Sequence, residues 1–233
     1  GRLGRFTIET GSQTTANGFA NAQMSSITNN SKFLGCSYIM FQLIYDAEKF
    51  GGGIPNVTAV VKGKKIYDPR ENSHDASDPT TWEWSDNPAL IFRDYLQDTN
   101  YGLRATTSEI NDTTNAGGIQ AAANICDQDV LLADNTTTEK RYTANGFTNF
   151  GASGEGVLSG ILSSMAGKMS YTNGQFNLFA GTTQTASLTI TDAECLSTMQ
   201  IATNPNNGDL YNAVKAIYTD STGEKYVGTD SGI

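Results

Sequence analysis

The sequence has few basic residues for nucleic-acid binding and almost no histidine for metal binding or histidine-based catalysis. It carries one histidine and 15 lysines and arginines against 24 aspartates and glutamates, for a formal net charge of −9. A nucleic-acid binder needs a basic stripe that displaces counterions from phosphate. The one basic cluster, Lys62, Lys64 and Lys65 around a glycine, is typical of a solvated turn. We therefore expect no nucleic-acid partner.

The cysteines are few, far apart and odd in number. Cys36, Cys126 and Cys195 form no C-x-x-C pair, so neither a zinc knuckle nor a redox motif is supported. Their apolar or helical neighbours predict three buried small hydrophobes in a reduced protein. No run of 18 apolar residues predicts a membrane span, and no signal peptide is visible. The chain begins without methionine, and we interpret it as a piece of a longer polypeptide.

Catalytic motifs are also missing from the sequence. Adjacent residues such as Ser73, His74 and Asp75 cannot form a triad, which is assembled from distant parts of a chain. The glycine-rich FGGGIPN segment lacks the Lys-Ser/Thr of a phosphate-binding loop and leads into a predicted strand. The sequence contains no D-x-D-x-D-G run, so an EF-hand calcium site is not predicted. We expect no catalytic residue, no cofactor, no metal and no enzymatic activity.

Two carboxylate pairs keep a sugar-directed alternative open. A glycosidase uses two carboxylates, and tryptophans beside carboxylates occur in sugar-binding clefts. The WEWSDNP segment also fits an aromatic anchor that leads into a helix cap. The candidate pairs are Asp46 with Glu48, and Glu83 with Asp86 beside Trp82 and Trp84.

The residues that are abundant indicate a folded, loop-rich protein with substantial β content. Hydrophobic residues make up 38% and charged residues 17%, and there are ten tyrosines, ten phenylalanines and two tryptophans. A disordered chain usually has more charge and fewer aromatics. The length of 233 residues is enough for one large domain or two modest ones.

The first patterned region predicts two strands joined by a glycine loop. Residues Cys36–Asp46 are too apolar for a strand with one wet face, so we predict a strand covered on both faces. Gly51, Gly52 and Gly53 with Pro55 then shape a loop. A second strand is predicted over Val57–Val61, continuing at Lys65–Tyr67.

Three helices are predicted in the middle of the chain. The first has Ser85 or Asp86 as its cap, Pro88 in its first turn, Phe92 on its buried face and Gly102 as a left-handed stop. The second runs over Gly118–Asp127 with its apolar residues inward, and the third lies in SGEGVLSGILSSMAG and is ended by a glycine. The inward residues are Ile119, Ala122, Ala123 and Cys126 in the second helix, and Leu158, Ile161, Leu162 and Met165 in the third.

Two alternating runs around Asn173 and Gly174 predict a β-hairpin with a two-residue type I′ turn. Further strands are predicted in SLTIT, from residue 187, and in LYNAVKAIYTD, from residue 210. The helices are segregated in the middle of the chain rather than alternating with strands. The fold class is therefore predicted to be α+β.

The same segments carry a resemblance to a known family. YDAEKFGGGIPNVTAVVKGKKIYDPR and TWEWSDNPALIFRDYLQDTNYGL resemble phage tail proteins that include tail tip attachment proteins of long-tailed phages and hub proteins of gene transfer agents. The match continues through AAANICDQDV, RYTANGF, ILSSMAGKMSYTNGQFNLFAG and LYNAVKAIY, in the family's order from about Gly35 to Tyr218. The polar first 32 residues do not match. The chain stops where family members continue, so the resemblance covers the hub core and not a receptor-binding end.

The resemblance implies a structural component of a phage or prophage tail tip, or baseplate hub, in the virion. It implies a β-barrel-like hub part over residues 1–67 and 203–233 and an inserted α+β domain over 68–202. It also implies a homotrimer that joins the tail tube to host-attachment parts, with the distal tail ring and the tip or fibre as neighbours, made in the bacterial host's cytoplasm.

The residues expected to matter are architectural. Two alternatives remain open: an adhesin or carbohydrate-binding module, and a tail-associated cell-wall hydrolase. The structural set is Gly51, Gly52, Gly53, Pro55, Trp82, Trp84, Pro88, Phe92, Asn173 and Gly174.

Overall fold

The computed structural model describes residues 4–44, 46, 48–50, 52–54, 57, 59–132, 135–149, 151–183 and 189–197, with the backbone of short strands between 213 and 232. The described residues mix helix and strand, which agrees with the predicted α+β class, and they form small sheets without a closed barrel. The chain divides into two compact units, Gly1–Val60 and Val61–Ile233. The predicted domain limits at 67/68 and 202/203 stay predictions.

The first unit is built on a two-stranded antiparallel ribbon. Strand β1, Gly4–Thr10, pairs along its whole length with β2, Ser37–Leu43. Between them lies helix α1, Gly18–Gln23, whose N-cap Asn17 accepts hydrogen bonds from the backbone N–H groups of the helix's first turn. The strand predicted over Cys36–Asp46 is confirmed in its centre. Its predicted cover on both faces is wrong, because Phe41 is 44% exposed.

The strand predicted over Val57–Val61 is not formed. The described residues of this segment join no ladder, and Val60 is fully exposed. Its valines have the composition of a strand, but strand preference depends on neighbours to pair with and pack against. Pairing begins only at β3, Lys65–Ile66, which is antiparallel to β4, Glu83–Trp84.

Helix α2, Pro88–Gln97, begins with Pro88 in its first turn, as predicted. Its cap is Asn87 and not Ser85 or Asp86, because the Asn87 side-chain oxygen accepts the backbone N–H of Ala89 at 3.0 Å. The Asn87 amide also donates to the carbonyl of Ala123 at 3.0 Å. One buried side chain thus starts α2 and ties it to the next helix.

The prediction that Gly102 ends α2 by adopting a left-handed conformation is wrong. Gly102 does not adopt a left-handed conformation, whereas Arg104 does, with φ of 60°. Gly102 is required for close approach instead, since a β-carbon there would lie 1.9 Å from the backbone oxygen of Tyr95. The chain turns back tightly against the last turn of its own helix.

Helix α3, Ile119–Cys126, is confirmed, and all four of its predicted inward residues are buried. Strands β5, Asp129–Leu131, and β6, Thr138–Lys140, follow as an antiparallel pair.

Of the cysteines, only Cys126 is buried, and Cys36 is exposed, so the prediction of three buried thiols is wrong. Cys36 precedes a strand of the open ribbon, where nothing among the described residues covers it.

Helix α4, Gly154–Ser164, is confirmed, with Leu158 and Met165 buried. The residue that turns the chain after it is Ala166, at φ of 47°, and not the predicted Gly167. A glycine at position 167 allows a close backbone approach, because a β-carbon there would lie 3.0 Å from the backbone oxygen of Phe179.

The second unit's core lies where α2 packs against α3 and α4. Helix α3 also packs against Gln175–Phe179, the second strand of the hairpin around Asn173 and Gly174. Helix faces and one hairpin face supply most of the core, as the spacing of apolar residues predicts, and Ile66 of β3 and Ile110 of a connecting segment add to it. Its buried members are Ile66, Ala89, Leu90, Phe92, Leu96, Ile110, Ile119, Ala122, Ala123, Cys126, Leu158, Met165, Leu178 and Ala180.

The predicted hairpin is confirmed. Strand β7, Lys168–Thr172, pairs with β8, Gln175–Phe179, across the two-residue turn. Asn173 and Gly174 adopt φ of 53° and 76°, the positive values that a type I′ turn requires.

Four short strands form two antiparallel pairs near the C-terminus. Strand β9, Ala213–Val214, pairs with β12, Ser231–Gly232, and β10, Ile217–Thr219, pairs with β11, Lys225–Val227. The described residues of the final predicted strand, 213–214 and 217–219, are therefore strand, as predicted. In SLTIT, residues 189–191 form no strand, and residues 187–188 lie outside the described residues.

Replacing Gly174 with valine is expected to lower the free energy of unfolding by about 1–3 kcal/mol, because a β-branched residue is strained at positive φ. Thermal and urea unfolding measure the loss. Gly146→Val is the matched control, since Gly146 is exposed, has no positive φ and has open space around its β-carbon position. Equal stability of the two variants would contradict the hairpin.

A polar cluster joins the turn before α2 to the end of α3. The Arg70 guanidinium lies 2.7 Å from Asp68 and 2.8 Å from Asp127, and Lys140 lies 2.9 Å from the second oxygen of Asp127. Burial alone would raise the pKa of Asp127, but its bonds from Lys140 and Arg70 hold that pKa below its ordinary value. The carboxylate therefore stays ionised and holds three segments together.

Candidate assembly surface

One face of the β1–β2 ribbon is apolar and open. Because side chains alternate along a strand and cross-strand partners share a face, the even positions of β1 face the same way as the odd positions of β2. Phe6 lies opposite Phe41, with ring centroids 6.3 Å apart, and Ile8 lies opposite Ile39. Phe6 is 66% exposed and Ile8 is 56% exposed. We call Phe6, Ile8, Ile39, Phe41 and Leu43 the ribbon face.

The opposite, polar face of the ribbon is the one that α1 covers. The Arg5 guanidinium lies 3.8 Å from the ring centroid of Phe19, and the Asn17 amide donates to Thr7 at 3.2 Å and to Glu9. Gln42 donates to Gln23 at 2.8 Å. The helix thus sits on the polar side and leaves the apolar side to water.

The edges of the ribbon are open as well. In the part of the chain that the structure describes, β1 and β2 pair only with each other. An unpaired strand edge presents a row of backbone donors and acceptors that another strand can satisfy. Free edges and an open apolar face together describe a surface suited to a β-rich partner.

This surface was missed by the sequence analysis, which found no pattern in the first 32 residues. A signal was present: Phe6 and Ile8 alternate with Arg5, Thr7 and Glu9, the period of a strand with one apolar face. The run is short and lies among polar residues, so it does not stand out from loop sequence.

The predicted structural residues lie in several places. Gly51 and Pro55 fall outside the described residues, and Gly52 and Gly53 lie exposed in a turn where Gly53 has φ of 99°. Asn173 and Gly174 form the hairpin turn. The two turns belong to different units, and the glycines of this set lie outside strands β1 and β2.

The aromatic residues of the set anchor the second unit to different degrees. Phe92 is fully buried and Pro88 is buried beside it in α2. Trp82 is half-buried, and its indole N–H donates to the backbone oxygen of Asp75 at 2.7 Å. Trp84 is 38% exposed and contacts Lys62, so its predicted anchoring role is weak.

His74 lies in the turn before β4. Its Nδ1 accepts the backbone N–H of Asp68 at 3.1 Å, and its ring lies 6.3 Å from that of Tyr67. It is half-buried rather than fully solvated. Within the described ranges, no three His, Cys, Asp or Glu side chains are grouped so as to hold a metal ion.

Among the helices described, none has the length and apolar character needed to cross a membrane. A scan against models of protein families finds no match to this chain, and a search of curated proteins finds none either.

Proposed function

We propose that this chain is a structural component of a phage tail tip or baseplate hub, one that joins the tail tube to host-recognition parts and is not an enzyme. The observation that carries the proposal is the ribbon face, an apolar surface with open strand edges on a chain of otherwise polar composition. The ordered resemblance of segments from Gly35 to Tyr218 supports the identity of the assembly.

The ribbon face supports assembly because leaving it in water is unfavourable. Burying apolar surface contributes about 25 cal/mol per Å². Contiguous exposed apolar patches on proteins commonly mark interaction sites. We propose that the occupant is the same surface region of neighbouring copies in a homotrimer, since strand edges are satisfied by strands and the chain itself supplies them.

The second unit supports a stiff scaffold. Its helices are tied by the buried Asn87, by the Arg70 cluster and by Arg93, whose guanidinium makes a bidentate pair with Asp112. Networks of hydrogen bonds and ion pairs of this kind, in which Asn87 and Arg93 are buried, hold elements in one arrangement. A hub has to transmit load between a tube and a tip without deforming, which such cross-links favour.

The location of the protein tests this proposal. Antibodies raised against the chain, applied with gold labels to particles of the phage or prophage that encodes it, are expected to mark one end of the tail. Antibodies raised against a capsid protein of the same particle provide the control. Labelling along the capsid, or protein found only in the host cell and never in particles, would overturn the assignment.

A further inference from the structure

We infer that a cleft in the second unit is a binding site for a neutral saccharide. The cleft has a volume of about 180 Å³ and lies between the segment that leads into β3, the turn before β4 and the C-terminal half of α2. Its lining includes the rings of Tyr67 and Trp82, the carboxylates of Asp94 and Asp98 and the polar side chains of Thr99 and Asn100, with the ammonium of Lys64 beside the carboxylates. The inference does not depend on the proposed function, because the ribbon face lies in the other unit.

The aromatic wall is rigid. Trp82 is held by its 2.7 Å bond to the backbone of Asp75, and its ring lies 6.0 Å from that of Tyr67. The buried Arg93 guanidinium lies 4.7 Å from the Tyr67 ring centroid and fixes that ring in turn. The two rings are tilted by 53° and form an angled wall. Because each ring is held in place, it can pack against an apolar C–H face of a pyranose with little loss of entropy on binding.

The carboxylates are held in place as hydrogen-bond acceptors. The Lys64 ammonium lies 2.9 Å from Asp94 in α2 and 2.7 Å from Asp98, the residue that caps the end of α2 one turn later. Burial on its own would raise the pKa of Asp98, but the bonds from Lys64 and two backbone N–H groups hold it below its ordinary value. A carboxylate oxygen has two lone pairs, so capacity remains for sugar hydroxyls.

The rim offers polar groups that the described residues do not use. Thr99 and Asn100 are exposed, and neither the Thr99 hydroxyl nor the Asn100 amide bonds to another described residue. Hydroxyl and amide groups both donate and accept, which matches the hydroxyls of a sugar.

The charge of the cleft selects against acidic sugars. Lys64 offsets one of the two carboxylates, and the Arg93 charge is already paired with Asp112 at 2.6 Å. Burial raises the pKa of Asp94, and the Arg93 guanidinium acts on that carboxylate as well as Lys64. The negative charge that the two carboxylates keep disfavours a carboxylate-bearing sugar such as glucuronate.

Tryptophan fluorescence tests the site because the chain has two tryptophans and one lines the cleft. In a Trp84→Phe variant, Trp82 is the sole reporter. Titration with glucose, galactose and N-acetylglucosamine is expected to give a saturable change for at least one sugar, with a dissociation constant on the order of 1 mM. Glucuronate is expected to give none. In a Trp82→Phe variant, the remaining Trp84 signal is expected to stay flat.

Rim variants separate binding from folding. Thr99→Val with Asn100→Ala, in the Trp84→Phe background, is expected to weaken binding roughly tenfold, because each lost hydrogen bond costs a factor of about two to ten. Asn145→Ala, an exposed residue outside the cleft, provides the control and is expected to leave the affinity unchanged. Flat titrations with all three neutral sugars, tighter binding of glucuronate, or equal affinity of the rim and control variants would each overturn the inference.

Discussion

Replacing Phe92 with alanine is expected to lower the free energy of unfolding by about 3–5 kcal/mol. Phe92 is fully buried in α2, at the centre of the core that α3 and α4 complete. Removing the ring loses its transfer free energy and leaves a cavity that close-packed neighbours fill only in part. Urea unfolding followed by circular dichroism measures the difference in midpoint and slope.

The control for this change is Phe147→Ala. Phe147 is 92% exposed, so the same chemical truncation removes almost no buried surface and is expected to change stability by less than about 0.5 kcal/mol. If the two variants lost similar stability, the placement of α2 at the centre of the core would be wrong.

Replacing Asp112 with alanine is expected to cost a similar amount, about 3–5 kcal/mol. Arg93 is 4% exposed, and its guanidinium makes three bonds to Asp112, at 2.6 to 2.9 Å. Without that carboxylate, the buried Arg93 charge keeps, among the described residues, its bond to Gln97, its contact with the Tyr67 ring and a weaker attraction to Asp94. Thermal and urea unfolding of the variant measure the cost.

A second substitution distinguishes a lost pair from a general disturbance. Adding Arg93→Met to Asp112→Ala removes the stranded charge and is expected to recover a large part of the loss, because well-packed apolar groups can replace a buried ion pair. Asp129→Ala, on an exposed position of β5, is expected to be near neutral. Additive losses in the double variant would contradict a pair that acts as a unit.

Local sequence signals predicted much of the second unit. The Asn173–Gly174 turn follows from two residues that tolerate positive φ between alternating runs, and α3 follows from four apolar residues at helical spacing. These features depend on residues close together in sequence. The local residue pattern is therefore enough to predict the hairpin turn and α3, whatever packs against them.

The failures occurred where distant contacts decide the outcome. Asn87 caps α2 in preference to Ser85 because its amide also has an acceptor on α3, which no local pattern reveals. Arg104 takes the left-handed conformation that was predicted for Gly102, and Ala166 takes one just before Gly167, the predicted end of the third helix. Both glycines serve close backbone approaches instead. Tertiary crowding, and not intrinsic preference, chose the position of each turn.

The ribbon face could not be predicted from local sequence either, because it depends on the pairing of two strands that are distant in sequence. Its two strands are separated by 26 residues of helix and loop, so the apolar surface exists only once β1 and β2 pair. The strand composition of Cys36–Asp46 was recognised, but its partner was not. What covers the face is the question on which the account of assembly depends.

Light scattering of the full-length protein tests that account most directly. We expect the mass of a trimer for the unsubstituted protein and for Phe147→Lys, which places a charge on an exposed aromatic residue of the other unit. Phe6→Lys with Ile8→Lys, which charges the ribbon face, is expected to give a folded monomer with unchanged circular dichroism. A monomer for the unsubstituted protein at high concentration, or a trimer that survives the two ribbon substitutions, would contradict it.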